Sequence, residues 1–152
     1  MISLFVGESF EGTEIRCHED FLPALQRLGE YAKRCDVRFH VNSSLRDPGE
    51  PVKGAIVEPA TLSNHHVGHA IDANPVIGGV LIHSSRLRGP YRALPLAFAE
   101  LVDLVRLDPT LRWGGDFKTE PDPVHFDDNL KRRDTNGWSL KLAEIWPAKE
   151  TV

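Results

Sequence analysis

The run Ser63-Asn64-His65-His66-Val67-Gly68-His69-Ala70-Ile71-Asp72 gathers three of the chain's seven histidines into five residues and follows them with an aspartate. Imidazole nitrogen and carboxylate oxygen are donors that zinc accepts, and a catalytic zinc site uses three protein ligands plus a water. His65 and Asp72 lie seven residues apart with Gly68 between them. A loop feeding a strand could turn at Gly68 and bring both to one ion. On a strand, Asp72 would face away from Ile71 and Ala73, so its carboxylate could point into a site while those neighbours pack behind it. A second run, Asp122-Pro123-Val124-His125-Phe126, sets a carboxylate three residues before a histidine. With His125 as the third ligand, Asp122 would lie near the open position. It could take a proton from water there, because a bound divalent ion lowers the pKa of that water to about 7, and pass it to a leaving amine.

These residues need a frame. Phe21, Leu25, Leu28, Ala32 and Cys35 recur at three- and four-residue steps, which predicts a helix over about Glu19 to Cys35, with Asp20 as cap and Pro23 in the first turn. Val37, Phe39 and Val41 alternate with Arg38, His40 and Asn42 and predict a half-buried strand. Ser43 to Leu62, with Pro48, Gly49, Pro51, Gly54 and Pro59, reads as a long irregular loop. Short strands are expected at Ala70–Ala73, closed by Asn74-Pro75, and at Val80–His83. A second helix is expected from about Leu94 to Leu107, carrying Leu94, Phe98, Leu101 and Val105 on one face, with Pro95 in its first turn and Pro109 after its end. Trp113-Gly114-Gly115-Asp116 reads as a turn into a strand near Val124–Phe126, and a terminal helix is expected near Ser139–Trp146. Two main helices with irregularly spaced strands, lacking regular βαβ alternation, indicate α+β.

At 152 residues the chain has the length of one domain. A formal net charge of −4 argues against a polyanion partner, and the one basic cluster, Lys131-Arg132-Arg133, is flanked by Asp127, Asp128 and Asp134 and reads as a solvated surface. A metal nuclease, suggested only by His65-His66, lacks the basic groove it would need. No window has the length of a membrane span. Met1–Val6 is apolar but too short for a signal-peptide core and carries no basic flank, so the expectation is a chain made in the cytoplasm that works outside only after release or delivery. Cys17 and Cys35 have no metal-site spacing and are expected to be free thiols.

The pattern Ser-x-His-x-x-Gly-x-Ala-x-Asp, matched at every fixed position from Ser63 to Asp72, resembles the signature of the D-Ala-D-Ala metallopeptidase family. That family includes D-alanyl-D-alanine dipeptidases and carboxypeptidases and phage L-alanyl-D-glutamate endopeptidases. Trp113-Gly114-Gly115-Asp116-Phe117 followed by Asp122-x-x-His125-Phe126 is similar to the endopeptidase branch. The resemblance covers roughly Val37 to Phe126. It implies a small, mostly antiparallel sheet with helices packed on it, a catalytic core over about residues 19–130 and an extension over 131–152. It also implies one zinc ion held by His65, Asp72 and His125, with Asp122 as the catalytic carboxylate. Arg46 corresponds to the arginine that steadies the oxyanion. The segment around it departs from the pattern, reading Ser44-Leu45-Arg46-Asp47 where the family has Gly-aromatic-Arg-Ser with a downstream glutamine.

Taken alone, His65 reads as an ordinary histidine; in the company of Asp72, Asp122 and His125 in family order it reads as a ligand. Ser63, His66, Trp113 and Asp116 are expected around the centre, as a turn cap, as partners orienting a ligand or as substrate contacts. His66 and His69 lie off the matched positions, where a solvent-facing or ligand-orienting role is expected. His40 and His83 are expected to be structural or exposed. Trp138 and Trp146 are expected to pack the terminal helix onto the body. The implied partner is the stem peptide of bacterial peptidoglycan, cut at L-Ala–D-Glu by a chain expected to be monomeric. A carboxypeptidase of the same family and a non-catalytic zinc-containing wall-binding or phage structural module are the alternatives. Asp122 and Arg46 count against the last, since binding alone needs neither a base nor an oxyanion partner.

Overall fold

The computed structural model describes residues 1–49 and 62–147. Eight strands and four α-helices follow in the order β1 (Ile2–Phe5), β2 (Phe10–Gly12), β3 (Ile15–His18), α1 (Leu22–Arg34), β4 (Val37–Ser43), β5 (Ala70–Ile77), β6 (Val80–Leu81), α2 (Leu96–Leu107), β7 (Arg112–Trp113), β8 (His125–Asp127), α3 (Leu130–Arg133) and α4 (Thr135–Ile145) among the described residues. The main sheet runs β2-β4-β5-β8-β7, with β6 paired to β5, and β1 and β3 form a separate antiparallel pair. Among the described residues only the β2–β4 pairing is parallel. The class is α+β, as the sequence indicates.

The hydrophobic spacing accounts for the core. Phe21, Leu25, Leu28, Ala32 and Cys35 are all buried along α1 and its ends, and Val37, Phe39 and Val41 are buried on β4. Phe39 stacks on Phe10 at 5.6 Å between centroids and meets Phe126 edge-on at 5.2 Å. Phe98, Leu101, Val102 and Val105 of α2 close the same cluster. Fully burying one such side chain contributes roughly 1.5–3 kcal/mol, so this cluster is the rigid floor beneath the strands that carry the histidines.

Several boundaries differ from expectation. The first helix is preceded by a 3-10 turn, Glu19–Phe21, capped by His18, whose Nδ1 accepts the Asp20 N–H at 3.1 Å. Asp20 is therefore not the cap; its carboxylate takes Lys141 Nζ at 2.6 Å. Strand β5 does not close at Asn74-Pro75 but runs on to Ile77. Pro75 lies opposite Phe39, whose own N–H is turned away to Ser9 O, so no donor is required of the proline on that side. Strand β6 stops at Leu81, and α2 begins at Leu96 with Pro95 as its N-cap.

The hydrophobic core reaches back before residue 19. Ile15 and Cys17 are buried in the main cluster, and β2 is an edge of the main sheet. The expected irregular loop Ser43–Leu62 falls largely outside the described residues, as does the end of the 131–152 extension. The part of that extension that is described folds as α3 and α4, the latter starting earlier than Ser139. Cys17 and Cys35 are buried free thiols, and burial pushes the Cys17 thiol up to about 11. Among the described residues no helix is long and apolar enough to cross a membrane.

Candidate metal centre

Ser63 and His66 shape the turn that presents His65. Ser63 Oγ accepts the His65 N–H at 3.3 Å, and His66 Nδ1 accepts the Ser63 N–H at 2.8 Å, a reciprocal cap on the 3-10 turn Asn64–Val67. The turn ends at Gly68, φ 72°, where an added Cβ would lie 2.5 Å from the His18 nitrogen. A side chain is excluded there both by the left-handed backbone and by contact with β3. Two residues later β5 begins, and Asp72 is its third residue, half-buried between the fully buried Ile71 and Ala73. The strand alternation expected from the sequence holds.

Sheet register brings the rest together. Asp72 pairs directly with His125 of β8 and, across an irregularity after Val41, with Ser43 of β4. His65 Nε2 stands 3.1 Å from Asp72 Oδ1 and 3.2 Å from His125 Nδ1, and His125 Nδ1 stands 3.3 Å from Asp72 Oδ1. Ligand atoms held at about 2.0–2.1 Å by a tetrahedral zinc stand roughly 3.3–3.4 Å apart, so a triangle with these edges fits that ion closely.

The outer hydrogen bonds determine what these atoms can do. His65 Nδ1 faces the Ser44 carbonyl oxygen at 2.8 Å. A carbonyl only accepts, so Nδ1 carries the proton and Nε2 turns its lone pair inward. His125 Nε2 faces Asp127 Oδ2 at 2.7 Å. Burial works against ionising Asp127, but His125 and Arg112 outweigh it and hold its carboxyl well below the usual range. His125 Nε2 is thus the donor, and Nδ1 points inward. Two lone pairs and a carboxylate oxygen converge on one spot, an arrangement that calls for a cation. Burial alone would lower the basicity of His125, yet its bonds to Asp127 and Asp72 raise its pKa to about 9. Without a metal, a proton answers the same demand. Asp72 is likewise held well below the ordinary carboxylate range, the imidazoles overcoming the opposing effect of burial.

Asp122 precedes β8 on a tight turn. Its N–H donates to Gly114 O at 2.9 Å and its carbonyl accepts the His125 N–H at 3.1 Å. A Cβ on Gly114 would lie 2.2 Å from Asp122 O and 2.8 Å from His125 Cβ, so the glycine is what allows the Trp113–Asp116 segment against this turn. Burial, then the negative charge of Asp72, raise the pKa of Asp122. Arg46 donates through Nη2 to Asp72 Oδ2 and to Ser43 Oγ (3.0 Å), and the same nitrogen stands 3.1 Å from His65 Nε2. Its guanidinium therefore lies beside the triangle.

Other expected residues stand further off. Trp113 is a buried wall: its indole N–H donates to Pro123 O at 2.7 Å and its ring meets Phe98. Asp116 does not face the centre; it grips Arg106 through two bonds of 2.7 and 3.0 Å. Both line an open cavity of about 270 Å³ with Tyr91, Arg106, Pro121 and Pro123. His66 is buried as a cap, and burial is the main cause of its lowered pKa. His69 is buried too, bonded through Nδ1 to Asp128 at 2.8 Å, so neither faces solvent. His83 is exposed and His40 half-buried.

Asp127 is absent from the sequence-based set. It joins His125, Arg112, Asn64 and the Asn129 N–H in one buried carboxylate. The signal was available: two residues beyond His125 on a strand is the same face. Ser43 and Ser44, which touch Asp72 and His65, are set by the irregularity at the end of β4 and carry no comparable signal.

A family model described as D-alanyl-D-alanine carboxypeptidase matches residues 57–128. No curated protein matches the chain. Among solved structures, the L-Ala D-Glu endopeptidase ChiX of Serratia marcescens is similar, with 23% identity and a TM-score of 0.52, covering 77% of this chain and 84% of that one. At that identity the likeness establishes the shared fold. The stretch matched by that family model, residues 57–128, takes in all three candidate ligands and Asp122.

Proposed function

We propose that this chain is a zinc-dependent peptidase that hydrolyses stem peptides of bacterial peptidoglycan at the L-alanyl–D-glutamate bond, acting as a monomer on the wall after release or delivery. The observation that carries the metal reading is the convergence of His65 Nε2, Asp72 Oδ1 and His125 Nδ1, with both imidazoles locked by outward bonds so that their lone pairs face inward. When bound, zinc at this triangle acidifies a water and polarises the scissile carbonyl.

The chain's own groups do the rest. Asp122, with its pKa raised by burial and by Asp72, takes the proton from the attacking water and delivers it to the leaving amine. Arg46, anchored beside the centre on Asp72 and Ser43, offsets the negative charge that grows on the carbonyl oxygen. Asp127 and the Ser44 carbonyl keep the two imidazoles in their coordinating tautomers.

The choice of bond follows from the Trp113–Phe117 and Asp122–Phe126 blocks, and the solved structure that shares this fold carries the same activity in its name. The description of the matching family model favours a second reading, removal of terminal D-alanine. Incubating purified peptidoglycan with the zinc-loaded wild type and with Asp122→Ala, then identifying new termini by mass spectrometry, separates the readings. New N-terminal D-glutamate made by the wild type alone supports the endopeptidase. Released D-alanine supports the carboxypeptidase. Wall and zinc binding with no cleavage by either protein contradicts both and leaves a binding module.

A further inference from the structure

We propose that Trp138 and Trp146 are positioning residues for His65, so that docking of α4 and loading of the metal are coupled; the inference rests on the zinc reading above. The turn that carries His65 is a single 3-10 turn of four residues. So short an element leaves most of its terminal polar groups without partners of its own. Donors from beyond residue 128, where the family match ends, meet its carbonyls. Trp138 Nε1 donates to Ser63 O at 3.3 Å and Trp146 Nε1 to His66 O at 2.7 Å. Lys131 adds its Nζ to Leu62 O at 2.5 Å and its backbone N–H to Asn64 Oδ1 at 3.0 Å. The two tryptophan bonds bracket His65 on either side. An indole N–H donates and cannot accept, so each tryptophan fits a carbonyl in one sense only.

The remaining anchorage of α4 is modest. Val67, Leu130 and Trp138 form a small apolar cluster separate from the main core, with Leu142 and Ile145 packed against it. Val67 itself belongs to the ligand turn, so the cluster and the hydrogen bonds grip the same short segment, Leu62 to Val67. Lys141 ties the helix to Asp20, a partner that is more than half exposed. An element held this way opens at lower free energy than the sheet does. Whatever fixes the turn from its inner side, as an ion on His65 would, must then favour the docked helix, and the docked helix must favour the ion by the same factor.

The test uses the full chain and two metals, zinc and cobalt. Zinc affinity is measured by competition with a chromophoric chelator, the cobalt form by its visible spectrum, and α4 by amide hydrogen exchange with and without zinc. Trp138→Phe and Trp146→Phe keep a ring and remove the donor. Each is expected to weaken zinc about tenfold, the lower end of the range for groups that orient a ligand, and to shift the cobalt spectrum. In the wild type, zinc is expected to slow exchange along α4. Tyr31→Phe, which removes a bond remote from the turn, is expected to lower stability while zinc affinity holds. Wild-type zinc affinity and cobalt spectra in both tryptophan variants, or α4 exchange indifferent to zinc, overturn the inference alone. A wild type that takes up neither metal overturns the zinc reading together with it.

Discussion

Two carboxylates, Asp72 and Asp108, are wired in opposite senses. Asp108, its side chain fully buried, is surrounded by donors: Arg27 Nε at 2.8 Å and Nη2 at 3.1 Å, Tyr31 OH at 2.6 Å, and the Thr110 and Leu111 N–H groups at 3.0 and 2.9 Å. Every bond there is complete, and it clamps α1 to the end of α2. Asp72 meets donors on one side only, Arg46 and Ser43, and on the other faces two imidazole nitrogens that turn lone pairs toward it. A complete network is a structural device, whereas a buried cluster of acceptors is finished only by a cation. The contrast tells support from chemistry without any appeal to family.

Variants can break that contrast. The largest effect is expected at Asp122: Asp122→Ala should lower kcat by about 10²–10⁴-fold, the range of general acid–base catalysis, with zinc content unchanged by elemental analysis. Asp127→Ala frees His125 Nε2 and should weaken zinc about 10–100-fold in chelator competition. Asp108→Ala should cost about 2 kcal/mol in urea unfolding, less than for a fully desolvated pair because Arg27 reaches solvent, and should leave zinc affinity unaltered.

The smallest effect is in pH. The Arg27 and Tyr31 bonds, opposing burial, hold the Asp108 carboxyl well below the usual range. A depressed folded-state pKa gives stability that is complete above about pH 4, the unfolded value, and fades as pH falls through the folded one. Denaturation midpoints of the wild type should therefore fall more steeply than those of Asp108→Asn between pH 5 and 2.

The candidate ligands were legible because each sits on a feature that sequence displays: a capped turn, a glycine, an alternating strand. Asp127 was hidden by its place beside a charged run, where acidic residues read as surface, although strand alternation from His125 pointed to it. Strands β1 to β3 leave little trace in the sequence because they are only three or four residues long and Leu4 and Val6 are exposed. Their pairing depends on distant partners: β2 on β4, and β3 on β1. The expected close of β5 at Pro75 rests on a local proline rule, while the partner's hydrogen-bond phase that excuses the proline is not local. Either Asp20 or His18 can supply the cap's acceptor, and only the chain path decides that His18 does.

The central claim is most directly tested by anomalous diffraction at the zinc edge from crystals of the full chain grown with the ion in modest excess. One dominant peak is expected, bonded to His65 Nε2, Asp72 Oδ1 and His125 Nδ1, with the remaining position open toward Asp122. A peak on other residues, or none between these three, would contradict it.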